Sequence, residues 1–246
     1  MISLHAVSKQ FPNGTHALEG ITANIEAGEF LALLGPSGCG KSTLLRLLAG
    51  LDAPSSGQIA WHAAHQPGPG DIGYVFQDAT LLPWASAAEN VYLPLRLRGR
   101  GRAESAAHVS ATLARVGLAE FAGTRPKALS GGMKMRVSIA RALVCDPMLL
   151  LMDEPFAALD EFTRHRLQDD LHRLWRESGK TIIFVTHSIY EAAYLASRIL
   201  VMSPRPGRIA ANIPARVPEG PTRRESAEYI ALVHQVTETF RQVMPA

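Results

Sequence analysis

The sequence has few cysteines, few aromatic residues and no long apolar run. Cys39 and Cys145, the only two cysteines in 246 residues, cannot form a disulfide framework and fit a reducing compartment. No segment approaches the ~20 apolar residues of a membrane helix, and the N-terminus lacks the apolar stretch of a signal peptide. A net charge of only +3 gives no indication of a nucleic-acid partner. We therefore expect a cytoplasmic chain that reaches a membrane only through a partner.

The chain does contain enough apolar sequence for a substantial core. Hydrophobic residues make up 47% of it and charged residues 19%, which is typical of globular proteins and excludes a disordered chain. A chain of this length can bury one core, or a core domain with a smaller inserted lobe.

The first third of the sequence predicts strands and turns. Residues 2–34 read as short strands that end in the apolar run Phe30–Leu34, after which Gly35 follows. A helical pattern begins after Lys41. A further strand, Ile72–Phe76, stops at Gln77. The order strand, glycine loop, helix is the context that a phosphate-binding loop requires.

Helical patterns dominate residues 78–145. Ser86 and Glu89 have capping-box spacing, and Pro94 predicts that the following helix starts or breaks near it. Further helices are predicted over 103–116 and from Ser130 onward.

Strand character returns in the last part of the chain. Strands are predicted at 148–152 and 181–186, with a long helix near 161–177 between them. A hairpin over 198–213 and a helical tail over 224–243 follow. This alternation predicts a mostly parallel sheet covered by helices, with a helical insertion.

The glycine-rich segment after the apolar run fits the pattern GxxxxGK[ST]. Its glycines allow backbone N–H groups to approach phosphate oxygens, and the helix behind them adds its positive end. Lys41 would reach the β- and γ-phosphates of ATP, and the Ser42 hydroxyl would bind Mg²⁺. An accidental glycine turn is the alternative, which the flanking strand and helix disfavour. The predicted nucleotide-binding residues here are Gly35, Pro36, Ser37, Gly38, Cys39, Gly40, Lys41, Ser42 and Thr43.

Two carboxylates follow a second apolar run. Asp153 and Glu154 come directly after Leu149–Met152, and parallel sheets place ligands at such strand ends. Asp153 would hold Mg²⁺ through water, and Glu154 would orient or deprotonate the attacking water. Taken alone, the pair could equally be an ordinary acidic strand end.

A third motif, Leu129-Ser130-Gly131-Gly132, lies between the phosphate loop and this acidic strand end. Alone it is only a good helix start with a serine N-cap. The series of phosphate loop, LSGG, LLLMDEP and a later histidine resembles the ATP-binding subunit of an ABC transporter along most of the chain. The resemblance implies that Ser130, Gly131 and Gly132 act in trans on the γ-phosphate bound by a second subunit. Met133 replaces the commonest residue of the motif, glutamine.

The resemblance also implies roles for four single residues. Gln77 would touch Mg²⁺ and water, and His187 would lie near the γ-phosphate. Asp160, in Ala158-Leu159-Asp160, would belong to the loop that crosses the dimer interface. Phe11 would stack on adenine. The alternatives are a structural histidine after a strand and an ordinary core phenylalanine.

The implied fold is an α/β P-loop NTPase of ABC type. It has a mostly parallel sheet core, an antiparallel β subdomain and an inserted helical subdomain. We expect one domain over residues 1–246, with the core at 1–77 and 146–214, the helical subdomain at 78–145 and a C-terminal helical tail at 215–246.

Less specific sequence patterns resemble those of the nitrate/sulfonate/taurine importer branch. They are the segment from Gln77 to Trp84, Met133 in the signature, and Ser203–Arg208. The surface around Leu81–Asn90 would receive a permease helix, although Trp84 could instead be plain core.

The expected assembly is a homodimer that sandwiches two ATP molecules. It would bind a transmembrane permease at the cytoplasmic face of the plasma membrane as a peripheral subunit, and a separate solute-binding protein would act indirectly. No nucleic-acid partner is expected. Two alternatives stay open: an ABC ATPase of an exporter or lipid-handling complex, and a soluble ATP-switched binding module.

Overall fold

The computed structural model describes residues 1–62, 67–68, 70–157, 159–220 and 222–244, so Ala158 of the predicted interface loop lies outside the described residues. The chain forms two compact units, Met1–Gln66 with Thr181–Ala246, and Pro67–Lys180. The strands are β1 (Ile2–Gln10), β2 (His16–Ile25), β3 (Phe30–Leu34), β4 (Ser56–Trp61), β5 (Ile72–Val75), β6 (Leu149–Asp153), β7 (Thr181–Thr186), β8 (Arg198–Met202) and β9 (Ile209–Pro214). The helices are α1 (Lys41–Leu48), α2 (Ala87–Leu97), α3 (Arg102–Arg115), α4 (Gly131–Leu143), α5 (Glu161–Ser178), α6 (Ile189–Leu195) and α7 (Ala227–Val243). The subdomain bounds expected from the sequence stay a prediction.

The first unit contains an antiparallel sheet and a parallel group of strands. In the antiparallel sheet β1 lies between β2 and β4. In the parallel group β3 lies between β7 and β8, and β9 turns back antiparallel to β8. Every residue of β3 and β7 is buried, which explains the apolar sequence of β3 and the apolar run between the two threonines of β7. The expected parallel core, antiparallel sheet and late hairpin are confirmed.

The second unit contains the parallel pair β5 and β6 and the helices α2 to α5. The helix α2 packs against α3 and α4, and α4 packs against α5. The N-terminus of α2 has the predicted capping box: the Ser86 hydroxyl accepts from the Glu89 N–H at 3.2 Å, and the Glu89 carboxylate accepts from the Ser86 N–H at 2.8 Å.

The prediction that Pro94 starts or breaks this helix is wrong. The helix α2 runs through Pro94 to Leu97. Val91 and Leu95 are buried on either side of the proline, so packing of the apolar face holds the helix together where one backbone hydrogen bond is missing.

The strand β4 and the short helix α6 were not predicted from the sequence. The strand β4 has weak strand composition, but it completes the antiparallel sheet. The short helix α6 begins at Ser188, whose hydroxyl accepts from the Glu191 N–H at 3.3 Å, so its N-cap signal was present in the sequence. Among the described residues, no helix is both long enough and apolar enough to cross a bilayer.

Candidate nucleotide-binding site

The glycine-rich loop connects β3 to α1 and needs glycine for two separate reasons. Gly38 and Gly40 have φ angles of 77° and 107°, a region that residues with a Cβ rarely adopt. Gly40 also lies against β2, where an added Cβ would be 2.7 Å from the Ala17 carbonyl oxygen. Substitution at Gly40 would therefore strain the backbone and force the loop away from β2.

Lys41 begins α1 with its side chain folded back into the loop. Its ammonium group donates to the carbonyl oxygens of Gly35 at 2.8 Å and Pro36 at 3.0 Å, and the residue is only 4% exposed. The first turn of α1 carries no acidic residue that would neutralise the positive helix end. The loop thus combines a buried cation with a helix N-terminus, an arrangement suited to anions.

His187 lies next to the start of this loop. The parallel register pairs Leu34 of β3 with Thr186 of β7, so Gly35 and His187 leave the same sheet edge side by side. The Thr186 hydroxyl donates to a Glu191 carboxylate oxygen at 2.5 Å and accepts from the Ser188 N–H at 3.0 Å. These bonds fix the backbone on both sides of the exposed His187.

Phe11 lies in a tight turn between β1 and β2. Its N–H donates to the Thr15 carbonyl oxygen at 2.9 Å, and its own carbonyl oxygen accepts from the Gly14 N–H at 2.9 Å. The ring is half-buried, and the Lys9 ammonium lies 5.4 Å from the ring centroid. The ring therefore keeps a surface that a planar apolar group can cover.

In the second unit, the register of β5 and β6 brings three predicted residues together. Val75 pairs with Met152, so Gln77 leaves the sheet edge beside Asp153 and Glu154. Glu154 has a φ angle of 44°, which is unusual for a residue with a side chain. Such strain persists only where the surrounding fold imposes it, and it occurs preferentially at functional sites.

The LSGG segment begins α4 as predicted. The Ser130 hydroxyl accepts from the Met133 N–H at 3.2 Å. The start of α4 packs against the start of α5, where a Cβ on Gly132 would lie 2.4 Å from the Thr163 methyl group. Asp160 caps α5 by accepting from the Thr163 N–H at 2.9 Å, and this hydrogen bond lowers the pKa of its carboxyl group. The structure thus joins the LSGG segment to the predicted interface loop.

Two residues that sequence reasoning missed hold the loop after Gln77. The Asn90 side chain is fully buried; its oxygen accepts from the Leu82 N–H at 2.7 Å, and its amide donates to three carbonyl oxygens of the same loop. The Arg141 guanidinium donates to the Ala79 and Thr80 carbonyl oxygens, both at 2.9 Å, and burial lowers its pKa. No local sequence pattern predicts these contacts, although an asparagine inside a helical pattern is a weak indication of a buried side-chain hydrogen bond.

The loop held by Asn90 borders a surface cleft of about 430 Å³. Trp84 is 70% exposed there, so its interpretation as a plain core residue is wrong. Both charged and aromatic side chains line the cleft. Beside Trp84, these are Glu89, Tyr92, Arg96 and Arg102, and Leu93 adds an aliphatic side chain.

Comparison with known proteins places these features in one family. A family model described as ABC transporter matches residues 18–157. An uncharacterized ABC transporter ATP-binding protein of Methanocaldococcus jannaschii is 45% identical over 219 residues, covering 89% of this chain and 82% of the relative. The taurine import ATP-binding protein TauB of Chromobacterium violaceum is 49% identical over 205 residues, covering 82% of this chain and 78% of the relative.

Solved structures confirm the fold. The ATP-binding cassette MJ0796, solved as a dimer in a post-hydrolysis state with ADP and Pi, superposes with a TM-score of 0.76 at 35% identity, covering 88% of this chain and 99% of that one. The protein cbiO1 of Clostridium perfringens, part of the transporter complex cbiONQ, gives a TM-score of 0.78 at 30% identity, covering 98% of this chain and 96% of that one.

Proposed function

The chain belongs to the ABC transporter ATP-binding proteins and is an ATP hydrolase, and we propose that it powers the import of taurine or a similar small anion through a membrane permease. Sulfonates and nitrate are the related candidates. The observation that carries the proposal is the 49% identity to a taurine import ATP-binding protein across 82% of the chain. The exposed Trp84 cleft supports it, because a transport ATPase needs a surface for its permease.

In the proposed site, the loop from Gly35 to Thr43 binds the phosphates of ATP. Lys41 exchanges its two carbonyl partners for phosphate oxygens, which keeps its ammonium group hydrogen-bonded in both states. Phe11 stacks on the adenine ring.

The residues available for Mg²⁺ are Ser42, Gln77 and Asp153. A hydroxyl, an amide oxygen and a carboxylate are the hard oxygen ligands that Mg²⁺ favours, and the register places two of them at one strand edge. When bound, Mg²⁺ would neutralise charge on the phosphate oxygens.

Glu154 and His187 are the proposed groups for hydrolysis, with Gln77 assisting. Glu154 orients or deprotonates the attacking water, and its imposed backbone conformation fixes the direction of the carboxylate. His187 stabilises the γ-phosphate, and the hydrogen bonds of Thr186 on its N-terminal side keep it in place.

Two copies of the chain are proposed to close on two ATP molecules. Ser130, Gly131 and Gly132 of one copy would meet the γ-phosphate held by the other, because exposed N–H groups at a helix start suit a phosphate. Asp160 would lie in the interface beside them. The dimeric structures of the related cassette MJ0796 support this assembly.

The permease is proposed to dock at the Trp84 cleft, which would place the chain as a peripheral subunit at the cytoplasmic face of the plasma membrane. A separate solute-binding protein would deliver the solute to the permease, so solute specificity would lie outside this chain.

The test is co-purification of the tagged chain with membrane proteins after gentle solubilisation, followed by uptake assays. We expect a multi-spanning permease, and taurine or sulfonate uptake that Lys41→Ala and Glu154→Gln both abolish. Lys41→Ala should lose ATP binding, whereas Glu154→Gln should retain ATP in a stable dimer. Recovery of soluble proteins alone would refute transport, and a Glu154→Gln monomer that still hydrolyses ATP would refute the role of Glu154.

Trp84→Ala tests the docking surface. We expect it to reduce permease recovery while leaving the melting temperature unchanged, because the side chain is mostly exposed. Tyr190→Ala is the matched control, since Tyr190 is 66% exposed and does not line the cleft. Equal effects of the two substitutions would exclude Trp84 as a specific contact.

A further inference from the structure

The turn Ser203–Arg208, which connects β8 to β9, lies against the phosphate loop. We name it the bracing turn. The register explains its position, because Leu34 pairs with both Thr186 and Val201, so the turn leaves the same sheet edge as the phosphate loop. The Arg205 Nε–H donates to the Gly38 carbonyl oxygen at 3.0 Å. Gly207 lies so close that a Cβ on it would be 2.1 Å from the Cys39 carbonyl oxygen.

These contacts fix the two peptide groups on either side of Cys39. A trans peptide group is planar, so holding the Gly38 carbonyl also sets the direction of the Cys39 N–H. The next peptide group is confined by Gly207. The flanking residues Gly38 and Gly40 have no side chains to restrict the loop. Within the loop the Cys39 N–H donates to the Pro36 carbonyl oxygen at 3.3 Å, and the contacts of the bracing turn add to this bond.

The bracing turn is itself rigidly held. The Ser203 hydroxyl accepts from the Arg208 N–H at 3.0 Å, and the Ser203 N–H donates to the Arg208 carbonyl oxygen at 3.0 Å. Gly207 forms backbone hydrogen bonds of 3.0 Å with Ala17 and Glu19 of β2. The Arg208 guanidinium binds the Glu19 carboxylate at 2.7 Å. Arg205 therefore extends from a fixed support.

We propose that Arg205 is a positioning residue for nucleotide binding, which holds the Gly38–Cys39 peptide in the orientation that the phosphates of ATP or ADP require. This inference rests on the proposed function of the phosphate loop. Arg205 acts through the loop backbone. Its loss should therefore lower the affinity for every nucleotide by the same factor, provided that the loop holds its phosphates. The affinity for adenosine, which lacks phosphates, should not change.

The experiment compares Arg205→Ala with Arg208→Ala in the full chain, by titration with Mg-ATP, Mg-ADP and adenosine. Both arginines are exposed, both lie in the bracing turn, and both substitutions remove one positive charge, but only Arg205 bonds to the phosphate loop. We expect Arg205→Ala to weaken the affinities for ATP and ADP about five-fold each, which is in the range of one typical net hydrogen bond, because Arg205 is exposed and acts only through the loop. Arg208→Ala should stay within about two-fold of the unchanged chain, as an exposed ion pair would.

Arg205→Lys, which keeps a charged donor, should recover part of the affinity, and the melting temperature of all three variants should match the parent. Equal effects of Arg205→Ala and Arg208→Ala would show a general charge effect and overturn the proposal. A parallel loss of adenosine affinity or of melting temperature would show a merely structural role and also overturn it. Lys41→Ala distinguishes failure of the Arg205 proposal from failure of the proposed nucleotide site. ATP binding that survives Lys41→Ala refutes the proposed nucleotide site itself.

Discussion

The Thr163 methyl group occupies the space that a side chain on Gly132 would need, at 2.4 Å from the position of an added Cβ. Gly131, one residue earlier, has no such neighbour, since its added Cβ would be 3.8 Å from the nearest atom of Leu159. Two adjacent glycines of the same motif are thus under different constraints. Gly132 is required for the packing of α4 on α5, whereas Gly131 is free of that requirement.

We expect Gly132→Ala to lower the free energy of unfolding by about 1–3 kcal/mol, because the new methyl group must push α4 away from Thr163. Gly131→Ala should leave it unchanged or raise it by up to about 1 kcal/mol, because alanine favours a helix. Urea denaturation of both variants measures the difference. If Gly131→Ala nevertheless abolishes ATP hydrolysis, that glycine is needed for nucleotide contact. Equal unfolding free energies would contradict the packing argument.

The backbone of Glu154 supports a second prediction. Because its φ angle is 44°, glycine at this position should relieve strain that glutamine retains. Glu154→Gly is therefore expected to be at least as stable as Glu154→Gln, and under the proposed function both should lose ATP hydrolysis. Thermal denaturation of the two variants compares them directly. A clearly lower melting temperature for Glu154→Gly would mean that the conformation is not strained.

Asn90 should be needed for the stability of the loop that borders the Trp84 cleft. Asn90→Ala removes the side chain that binds the Leu82 N–H and three carbonyl oxygens. The Leu82 and Ser86 carbonyl oxygens keep backbone donors, but the Leu82 N–H and the Ala85 carbonyl oxygen lose the Asn90 side chain, which we expect to cost about 2–4 kcal/mol. Ser86→Ala, which removes only the cap of α2, should cost about 1 kcal/mol. Hydrogen exchange over residues 82–86 should rise in Asn90→Ala. Unchanged exchange there would show that the loop holds its shape without Asn90.

Asp160 predicts a dependence of stability on pH. The Thr163 hydrogen bond lowers its folded-state pKa, so the ionised cap stabilises the fold above the unfolded-state pKa, and this contribution is lost as pH falls through the lowered folded-state value. Asp160→Asn keeps a capping oxygen without the titrating proton. The stability difference between parent and variant should therefore change across this acidic range and stay constant above it. A difference that is constant throughout would exclude Asp160 as its source.

Local chemistry at the ends of elements could be predicted from the sequence. The phosphate loop, the Ser86 capping box and the Ser130 cap each depend on residues within a few positions of one another, and all three have the expected form. The strand–loop–helix order around Lys41 follows for the same reason.

Contacts that depend on distant parts of the chain could not be predicted. Arg141 binds a loop about 60 residues earlier, and Arg205 binds the phosphate loop from 167 residues later. Pro94 shows the converse, because tertiary packing on Val91 and Leu95 maintained a helix that local preference would interrupt. Pattern reasoning therefore located the motifs, but not the side chains that hold them in place.

The five residues of β3 determine where the segments after three neighbouring strands begin. One strand sets the register of two neighbours, so Gly35, His187 and the bracing turn all begin at a level fixed by Leu34. Inserting or deleting a single residue in β3 would reverse its faces and shift all three segments at once. The length of β3 therefore cannot change without moving all three segments. We expect insertions and deletions during divergence, and engineered labels or reporter domains, to be tolerated only in the connections between elements.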